Sequence, residues 1–142
     1  MAIKSINPYL MFDGTAEKAI KLYESALGAK AEHVMRYGDS PGVEHCKTEA
    51  DKARVMHGSL RIDGSVIMVS DGPPGMAMPT DGNVQISLDF DDIADMSKKF
   101  DALAEGGTVR LALHDSFWGA RFGMLTDAFG IRWMFNAELK KS

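Results

Sequence analysis

The sequence has 142 residues, 45% of them hydrophobic and 25% charged, a balance typical of an ordinary folded domain rather than a disordered chain. Its net charge is −4 and no basic cluster is longer than Lys140-Lys141, which disfavours nucleic acids and anionic membranes as partners. No apolar run approaches the roughly 20 residues that span a bilayer, and no secretory leader is visible. The single cysteine, Cys46, cannot form an internal disulfide, which agrees with a reducing compartment, and we expect a cytoplasmic protein. With nucleic acids and anionic membranes disfavoured, small molecules or proteins are the expected partners.

The N-terminal part of the chain predicts a strand followed by a helix. Residues 6–12 form the predicted strand, with Pro8 near its start. Apolar residues then recur at helical spacing, and Thr15 before them is the predicted N-cap. These apolar residues are Ala16, Ala19, Ile20, Tyr23, Ala26 and Leu27. Gly28 follows at the position where a left-handed residue ends a helix.

The next stretch predicts a loop between two strand regions. A short strand over 31–37 leads into residues 38–51, where glycine, proline and charges without periodicity predict a mobile loop. Residues 53–62 and 65–70 then predict a hairpin, because Asp63-Gly64 between them is a strong two-residue turn signal. Residues 71–82, rich in proline and glycine, predict an irregular linker.

Regular structure resumes after the linker and ends in a second hairpin. Residues 83–90 alternate apolar and polar side chains, which predicts a half-buried strand. Asp92 is the predicted cap of a helix that Gly106-Gly107 ends, and a strand at about 108–113 follows. Two apolar and aromatic runs then flank residues 126–130. On the second run, side chains alternate between the two faces of the predicted strand. One face carries the apolar Ile131, Trp133 and Phe135, and the other carries Arg132, Met134 and Asn136.

An internal repeat relates the two halves of the chain. Phe100 lies 77 residues after Tyr23, and the same offset places Gln85 on Pro8 and Met134 on His57. We therefore predict an α+β fold in which two βαβββ modules, at 5–70 and 83–136, form one domain over 1–142. Neither module can cover both faces of its own sheet, so two modules must pair, within the chain or with a second chain.

The closing hairpin carries the most specific family resemblance. Its pattern, WG-x-R-x-G-x-x-x-D-x-FG-x-RW over residues 118–133, and the helix AEKAIKLYESALGA resemble the vicinal oxygen chelate superfamily, within it the PhnB-like glyoxalase/bleomycin-resistance group. The resemblance extends over about residues 5–136. It implies paired modules whose curved sheets form an open, barrel-like glyoxalase/bleomycin-resistance/dioxygenase fold. PhnB-like proteins have no settled activity, so the resemblance does not name a reaction.

The resemblance also implies a test for a metal. Metal-dependent relatives take one ligand from near the start of each module's first strand and one from its third or last strand, giving four His, Glu or Gln side chains. By register, those positions here are Pro8, His57, Gln85 and Met134. Pro8 has no donor atom and a thioether is a poor ligand for Zn²⁺, Ni²⁺, Mn²⁺ or Fe²⁺. We therefore expect no metal and no other cofactor.

Five residues are candidates for a ligand site. His57 is a candidate acid or base, or equally a histidine satisfied by a polar neighbour, and Gln85 is a candidate substrate-orienting group. Arg121 lies between two glycines and either binds an anion or pairs with a carboxylate such as Asp127. Trp118 is a candidate pocket wall, although most tryptophans in such runs fill cores, and Met134 completes the set.

Three functions fit these features. The leading hypothesis is a homodimer that binds a small molecule in its cavity without an intact metal site, as bleomycin-resistance relatives do. The alternative is a glyoxalase-like lyase or isomerase acting on a small oxygenated substrate, with His57 as acid or base. The third hypothesis is a structural or regulatory partner protein, and the two long loops are the only feature of the sequence that supports it.

Overall fold

The computed structural model describes residues 2–79 and 82–139 and divides the chain into two compact units, the first ending at Pro79. Each unit contains one four-stranded mixed sheet and one long helix in the order βαβββ, with a short extra helix in the first. The predicted α+β fold class is therefore confirmed. Among the described residues, no helix is both long and apolar enough to cross a membrane.

The first unit builds its sheet from four strands in the spatial order β1-β4-β3-β2. Strand β1 runs parallel to β4, and the other neighbours are antiparallel. The elements are β1 (Tyr9–Met11), α1 (Ala16–Leu27), β2 (Lys30–Arg36), α2 (Glu49–Ala53), β3 (Val55–Ile62) and β4 (Ser65–Ser70).

The second unit repeats this topology in the spatial order β5-β8-β7-β6. Strand β5 is parallel to β8, as β1 is to β4, and the other pairs are antiparallel. The elements are β5 (Ile86–Phe90), α3 (Ile93–Ala104), β6 (Thr108–Asp115), β7 (Ala120–Thr126) and β8 (Arg132–Glu138).

Helix α1 buries the apolar face that its spacing predicts. All six predicted core residues of the helix are buried, and α1 packs on β2, β3 and β4, where Leu60, Ile67 and Val69 are buried. Gly28 has the left-handed φ of 71°, and its N–H donates to the carbonyl of Glu24. The predicted end of the helix is confirmed.

The start of α1 differs from its prediction. The side chain of Thr15 makes no capping hydrogen bond. The free N–H of Ala16 instead donates to Oδ1 of Asp71 at 2.8 Å, and the N–H of Val55 donates to Oδ2 of the same carboxylate at 2.8 Å. Asp71, predicted to open an irregular linker, is only 2% exposed and joins the start of α1 to the start of β3.

The segment between β2 and β3 contains more regular structure than predicted. Two 3₁₀ turns, Tyr37–Asp39 and Pro41–His45, precede α2. Side-chain caps stabilise the starts of the second 3₁₀ turn and of α2. The Ser40 hydroxyl accepts a hydrogen bond from the N–H of Gly42, and the Thr48 hydroxyl accepts one from the N–H of Asp51. The predicted loop at residues 38–51 therefore contains two 3₁₀ turns and the start of α2, and its mobility stays a prediction.

The second unit confirms the predicted helix and closing hairpin. The Asp92 carboxylate caps α3 by accepting from the N–H of Asp95 at 3.1 Å. Trp133 and Phe135 are fully buried, and Phe135 contacts the ring of Phe100 on α3 edge to face at 5.1 Å. The hairpin turn is organised by Asp127, which accepts hydrogen bonds from the N–H groups of Phe129 and Ile131 and from the Trp133 indole.

The constant repeat offset holds for the helices but not for the later strands. Ala16 and Ile93, which begin α1 and α3, are 77 residues apart, as predicted. His57, however, lies on the third strand of its unit and Met134 on the fourth strand of its own. The connection before the third strand spans residues 37–54 in the first unit and only 116–119 in the second, so the offset changes there. The predicted match of His57 with Met134 is wrong.

Candidate functional site

The face of the first sheet turned away from α1, here called the first distal face, carries a mixed polar and thioether surface. Side chains alternate across the pleat, so neighbours of the buried Leu10, Leu60, Ile67 and Val69 lie on this face. Cross-strand pairing sets Tyr9 beside Met68, Met68 beside Ser59, and Met35 beside His57. The face is lined by Tyr9, Met11, Met35, His57, Ser59 and Met68.

A hydrogen-bonded tyrosine–histidine pair crosses this face. Oη of Tyr9 lies 2.9 Å from Nδ1 of His57, and the two rings meet edge to face with centroids 5.6 Å apart. Tyr9 is on β1 and His57 on β3, so the contact passes over the intervening strand β4. Tyr9 is 43% exposed and His57 is half-buried, so neither residue belongs to the buried core of the first unit.

Only one ring nitrogen of His57 is used by this pair. Within the described residues, His57 has no second hydrogen-bond partner, so Nε2 is left to interact with a ligand or water. A hydrogen bond at one imidazole nitrogen fixes the ring orientation and couples the protonation of the two nitrogens. The predicted polar neighbour of His57 is therefore present, and it leaves half of the imidazole available.

Tyr37 adds a further hydroxyl near this pair. Burial raises the pKa of Tyr37 above its ordinary 10.0, and the proximity of Tyr9 acts in the same direction, while the charge of Arg54 and a hydrogen bond with the Ser70 side chain oppose it. Neither Tyr9 nor Tyr37 was among the predicted site residues. The signal for Tyr9 was its alternation with Leu10 in the first strand, which places it on the face of His57.

The second distal face, which is turned away from α3 in the second sheet, has a different character. Strand pairing brings Met134 between Ser87 and Met124, and Asn136 between Asp89 and Phe122. Nδ2 of Asn136 donates to Oδ1 of Asp89 at 3.2 Å. Met134 is therefore a half-buried member of this face.

Two other predicted site residues lie near the second sheet rather than within its strands. Trp118 is in the connection between β6 and β7, is 54% exposed, and contacts the Phe122 ring edge to face at 5.4 Å. Phe117 beside it is 98% exposed. Gln85 is exposed and precedes the first residue of β5.

Arg121 lies on the α3 side of the second sheet, opposite Met134. It neighbours the buried Ala137, and its Nε donates to Oδ1 of Asp115 at 2.8 Å. This hydrogen bond holds the pKa of Asp115 below its ordinary 3.8. Arg121 therefore pairs with a carboxylate, which was one of its two predicted roles, but the partner is Asp115 rather than Asp127.

A family model connects this architecture with known proteins. The model of the Glyoxalase/Bleomycin resistance protein/Dioxygenase superfamily matches residues 5–135. The chain belongs to this superfamily. The predicted resemblance is confirmed, and the two βαβββ units are the glyoxalase-superfamily arrangement of strands and helices.

Several known proteins resemble the chain over nearly its whole length. Protein YjdN from Escherichia coli K12 is 33% identical over 138 residues, covering 92% of this chain and 93% of the relative. The crystal structure of protein PA1353 from Pseudomonas aeruginosa is 37% identical with a TM-score of 0.85, covering 97% of this chain and 100% of the other. A PhnB protein from Bacillus cereus, 23% identical with a TM-score of 0.78 and coverage of 94% and 99%, shares the fold.

The donor set of this glyoxalase-superfamily chain does not fit a transition metal. In metal-dependent relatives the ligands come from the first strand and from the third or last strand of each module, and the side chains at these places include Tyr9, His57 and Met68 in the first sheet and Ser87 and Met134 in the second. A single imidazole beside a phenol, a hydroxyl and two thioethers is not the set of imidazole and carboxylate donors that Zn²⁺, Mn²⁺ or Fe²⁺ prefers. In addition, residues 2–79 and 82–139 contain no group of three His, Cys, Asp or Glu side chains arranged to hold a metal.

Proposed function

We propose that this chain is a PhnB-like vicinal oxygen chelate protein that binds a small organic molecule on the first distal face, without a metal of its own. The observation that carries the proposal is the Tyr9–His57 hydrogen bond of 2.9 Å among the methionines of that face. Small-molecule sites combine an apolar surface with a few oriented polar groups, and this face has both. Membership in a superfamily named partly for bleomycin resistance agrees with a binding role.

The side chains on the first distal face favour a ligand with an apolar body and an oxygen atom. The thioethers of Met11, Met35 and Met68 are polarisable and adapt to irregular or aromatic shapes. Oη of Tyr9 can donate to a ligand oxygen, and Nε2 of His57 can donate or accept according to its tautomer. The roles predicted for Gln85, Trp118, Arg121 and Met134 in ligand binding stay predictions.

Ligand screening by saturation-transfer NMR tests this proposal. Small oxygenated aromatic and aliphatic compounds are screened against the intact chain, and the affinity of each hit is then measured with His57→Ala. We expect at least about a tenfold loss, equivalent to about 1.4 kcal/mol of binding free energy.

His114→Ala is the matched control for this screen. His114 is exposed on β6 of the second sheet, and its Nδ1 lies 3.0 Å from the backbone carbonyl of Ala112. The control variant should retain the affinity of the unaltered chain. Equal affinities for both histidine variants would refute binding at His57.

The proposal includes a homodimer in the cytoplasm. Strand β6 is at the edge of the second sheet and exposes Val109 and Leu111, 47% and 37% respectively, beside its unpaired backbone edge. A two-fold partner that covers such an edge would remove it from water. Sedimentation should show a dimer at micromolar concentration, whereas a monomer at every concentration would exclude this part of the proposal.

A further inference from the structure

We propose that the second distal face contains a binding site for a small organic cation whose charge is on a methylated ammonium group. The aromatic part of this site is Trp118 and Phe122, and its acidic part is Asp89 and Glu138, with Asn136 between the two parts. The site uses only residues of the second unit, and it does not depend on the proposed function at the first distal face.

Strand pairing arranges these residues across the second sheet. Asn136 on β8 is the cross-strand neighbour of Asp89 on β5 and of Phe122 on β7, so the three side chains share the second distal face. Neighbouring strands are about 4.8 Å apart, which places the Cα atoms of Asp89 and Phe122 about 10 Å from each other. The short side chain of Asn136 lies in this gap, and a small methylated ammonium group fits above it.

The aromatic part of the site is open to solvent. The rings of Phe117, Trp118 and Phe122 follow one another edge to face, with centroids 5.0 Å and 5.4 Å apart. Trp118 is exposed, whereas Trp133 on the same sheet is fully buried. An exposed ring can present its negative face to a cation, and tryptophan gives the strongest cation–π contact. Trp118 is therefore the aromatic residue that contacts the ammonium group.

The acidic part of the site attracts positive charge. Asp89 is exposed, and its Oδ1 accepts a hydrogen bond from Nδ2 of Asn136 at 3.2 Å. Glu138 is also exposed and lies two residues after Asn136 on the same face of β8. Within residues 2–79 and 82–139, neither carboxylate forms an ion pair. Arg132 shares this face of β8 but precedes Asn136 by four residues, or about 13 Å along the strand.

The combination of rings and carboxylates favours a methylated ammonium group over other ligands. Two carboxylates repel an anion, and they add nothing to the binding of a neutral apolar compound. A methylated ammonium group carries its charge beneath methyl groups, which can pack against aromatic rings. The thioethers of Met124 and Met134, which are cross-strand neighbours on the same face, add polarisable surface for these methyl groups.

Comparison of a cation with its neutral isostere tests this site. Choline and dimethylbutanol, in which carbon replaces the ammonium nitrogen, are titrated separately into the intact chain, and their methyl signals in proton NMR report the affinities. We expect choline to bind at least about tenfold more tightly than dimethylbutanol. Trp118→Leu and Asp89→Asn should each weaken choline binding at least about threefold. The double variant Asp89→Asn with Glu138→Gln should lose the preference for choline.

Asp101→Asn is the matched control for the change of charge. Asp101 is exposed on α3, which packs on the opposite face of the second sheet, so this variant should bind choline as the unaltered chain does. Thermal unfolding checks that Trp118→Leu and Asp89→Asn are folded. Equal affinities for choline and dimethylbutanol, or unchanged choline affinity in folded Trp118→Leu, would overturn the inference.

Sedimentation of the same proteins separates ligand binding from contact between two copies of the chain. If a second copy covers the aromatic part, Trp118→Leu should lower the dimer fraction, and the unaltered chain should not bind choline. That result would overturn the inference. Choline binding that Trp118→Leu weakens without any change in sedimentation supports a ligand site.

Discussion

Met68 and Met134 occupy equivalent positions in their separate sheets. Met68 on β4 is the cross-strand neighbour of Tyr9 on β1, and Met134 on β8 is that of Ser87 on β5. Each methionine also has an antiparallel neighbour on its unit's third strand, Ser59 and Met124 respectively. The duplicated topology thus places a thioether in the first sheet at the position equivalent to Met134, which the family resemblance implies as a metal-ligand position.

This repeated thioether predicts a low metal content. Protein purified without a histidine tag should contain less than about one-tenth of an equivalent of Zn, Ni, Mn or Fe per chain, because thioether and hydroxyl donors bind these ions weakly. Elemental analysis by mass spectrometry measures this content, and added Zn²⁺ should not raise the melting temperature. A near-stoichiometric metal in freshly purified protein would contradict the prediction.

The Asp71 carboxylate predicts a large local contribution to stability. Asp71→Asn should reduce the free energy of unfolding by about 1.5–3 kcal/mol, the range for hydrogen bonds to charged groups. The amide retains one acceptor oxygen but turns an NH₂ group toward one of the two N–H donors, from Ala16 or Val55. Urea denaturation measures the change.

Asp13→Asn is the matched control for this measurement. Asp13 is half-exposed and bonded to Arg54 at 3.1 Å, so its loss should cost less than about 1 kcal/mol. If the two asparagine variants were equally stable, Asp71 would not have the capping role that its contacts indicate.

The contrast between Thr15 and Asp71 shows which parts of the fold the sequence can predict. The helical spacing of Ala16–Leu27 and the end at Gly28 are local properties, and both are confirmed. The cap that stabilises the start of the helix comes from Asp71, 55 residues further along the chain. A nearby Thr15 satisfies the local pattern, but only the folded sheet brings the more distant carboxylate to the free N–H group.

The contacts of the candidate site are even harder to predict from local sequence patterns. Alternation placed His57 on a strand face, but the identity of its partner depends on β1 pairing with β4 instead of with a strand next to it in sequence. Tyr9 and His57 are 48 residues apart. Likewise, Met134 was matched with His57 because a constant offset ignores the long connection before β3. Long-range pairing, which no local pattern encodes, decides these contacts.

Gly107 predicts a strict requirement for glycine at the start of β6. A Cβ at this position would overlap the carbonyl oxygen of Thr126 and lie 2.8 Å from the carbonyl carbon of Asp127. Because these are backbone atoms of the neighbouring strand end, they cannot move aside as a side chain can. Gly107→Ala should therefore lower the free energy of unfolding by about 1–3 kcal/mol or more.

Gly64, in the turn between β3 and β4, provides the comparison. A Cβ at Gly64 would have no heavy atom within 4 Å. Gly64→Ala should change the unfolding free energy by less than about 0.5 kcal/mol, as expected for a surface position. Urea titrations of both variants test the contrast, and a well-tolerated Gly107→Ala would refute the close backbone approach.

Tyr37 predicts a loss of stability at alkaline pH. Burial raises the pKa of the folded Tyr37 hydroxyl above its ordinary 10.0, so the folded chain holds this proton more tightly than the unfolded chain does. The stabilisation linked to this proton is complete below the unfolded pKa and is lost as pH rises toward the folded pKa. Tyr37→Phe removes the titrating group. The difference in unfolding free energy, wild type minus variant, should therefore fall between about pH 9 and about pH 11.

Urea unfolding of both proteins at several pH values across this interval measures that difference. Every other titratable group is present in both proteins, so the subtraction isolates the effect of removing the Tyr37 hydroxyl. Loss of the hydrogen bond between Tyr37 and Ser70 lowers the unfolding free energy of Tyr37→Phe by the same amount at every pH below the titration. It therefore does not change how the difference between the two proteins depends on pH. Parallel curves for the two proteins over the whole interval would show that the Tyr37 hydroxyl titrates equally in the folded and unfolded chains.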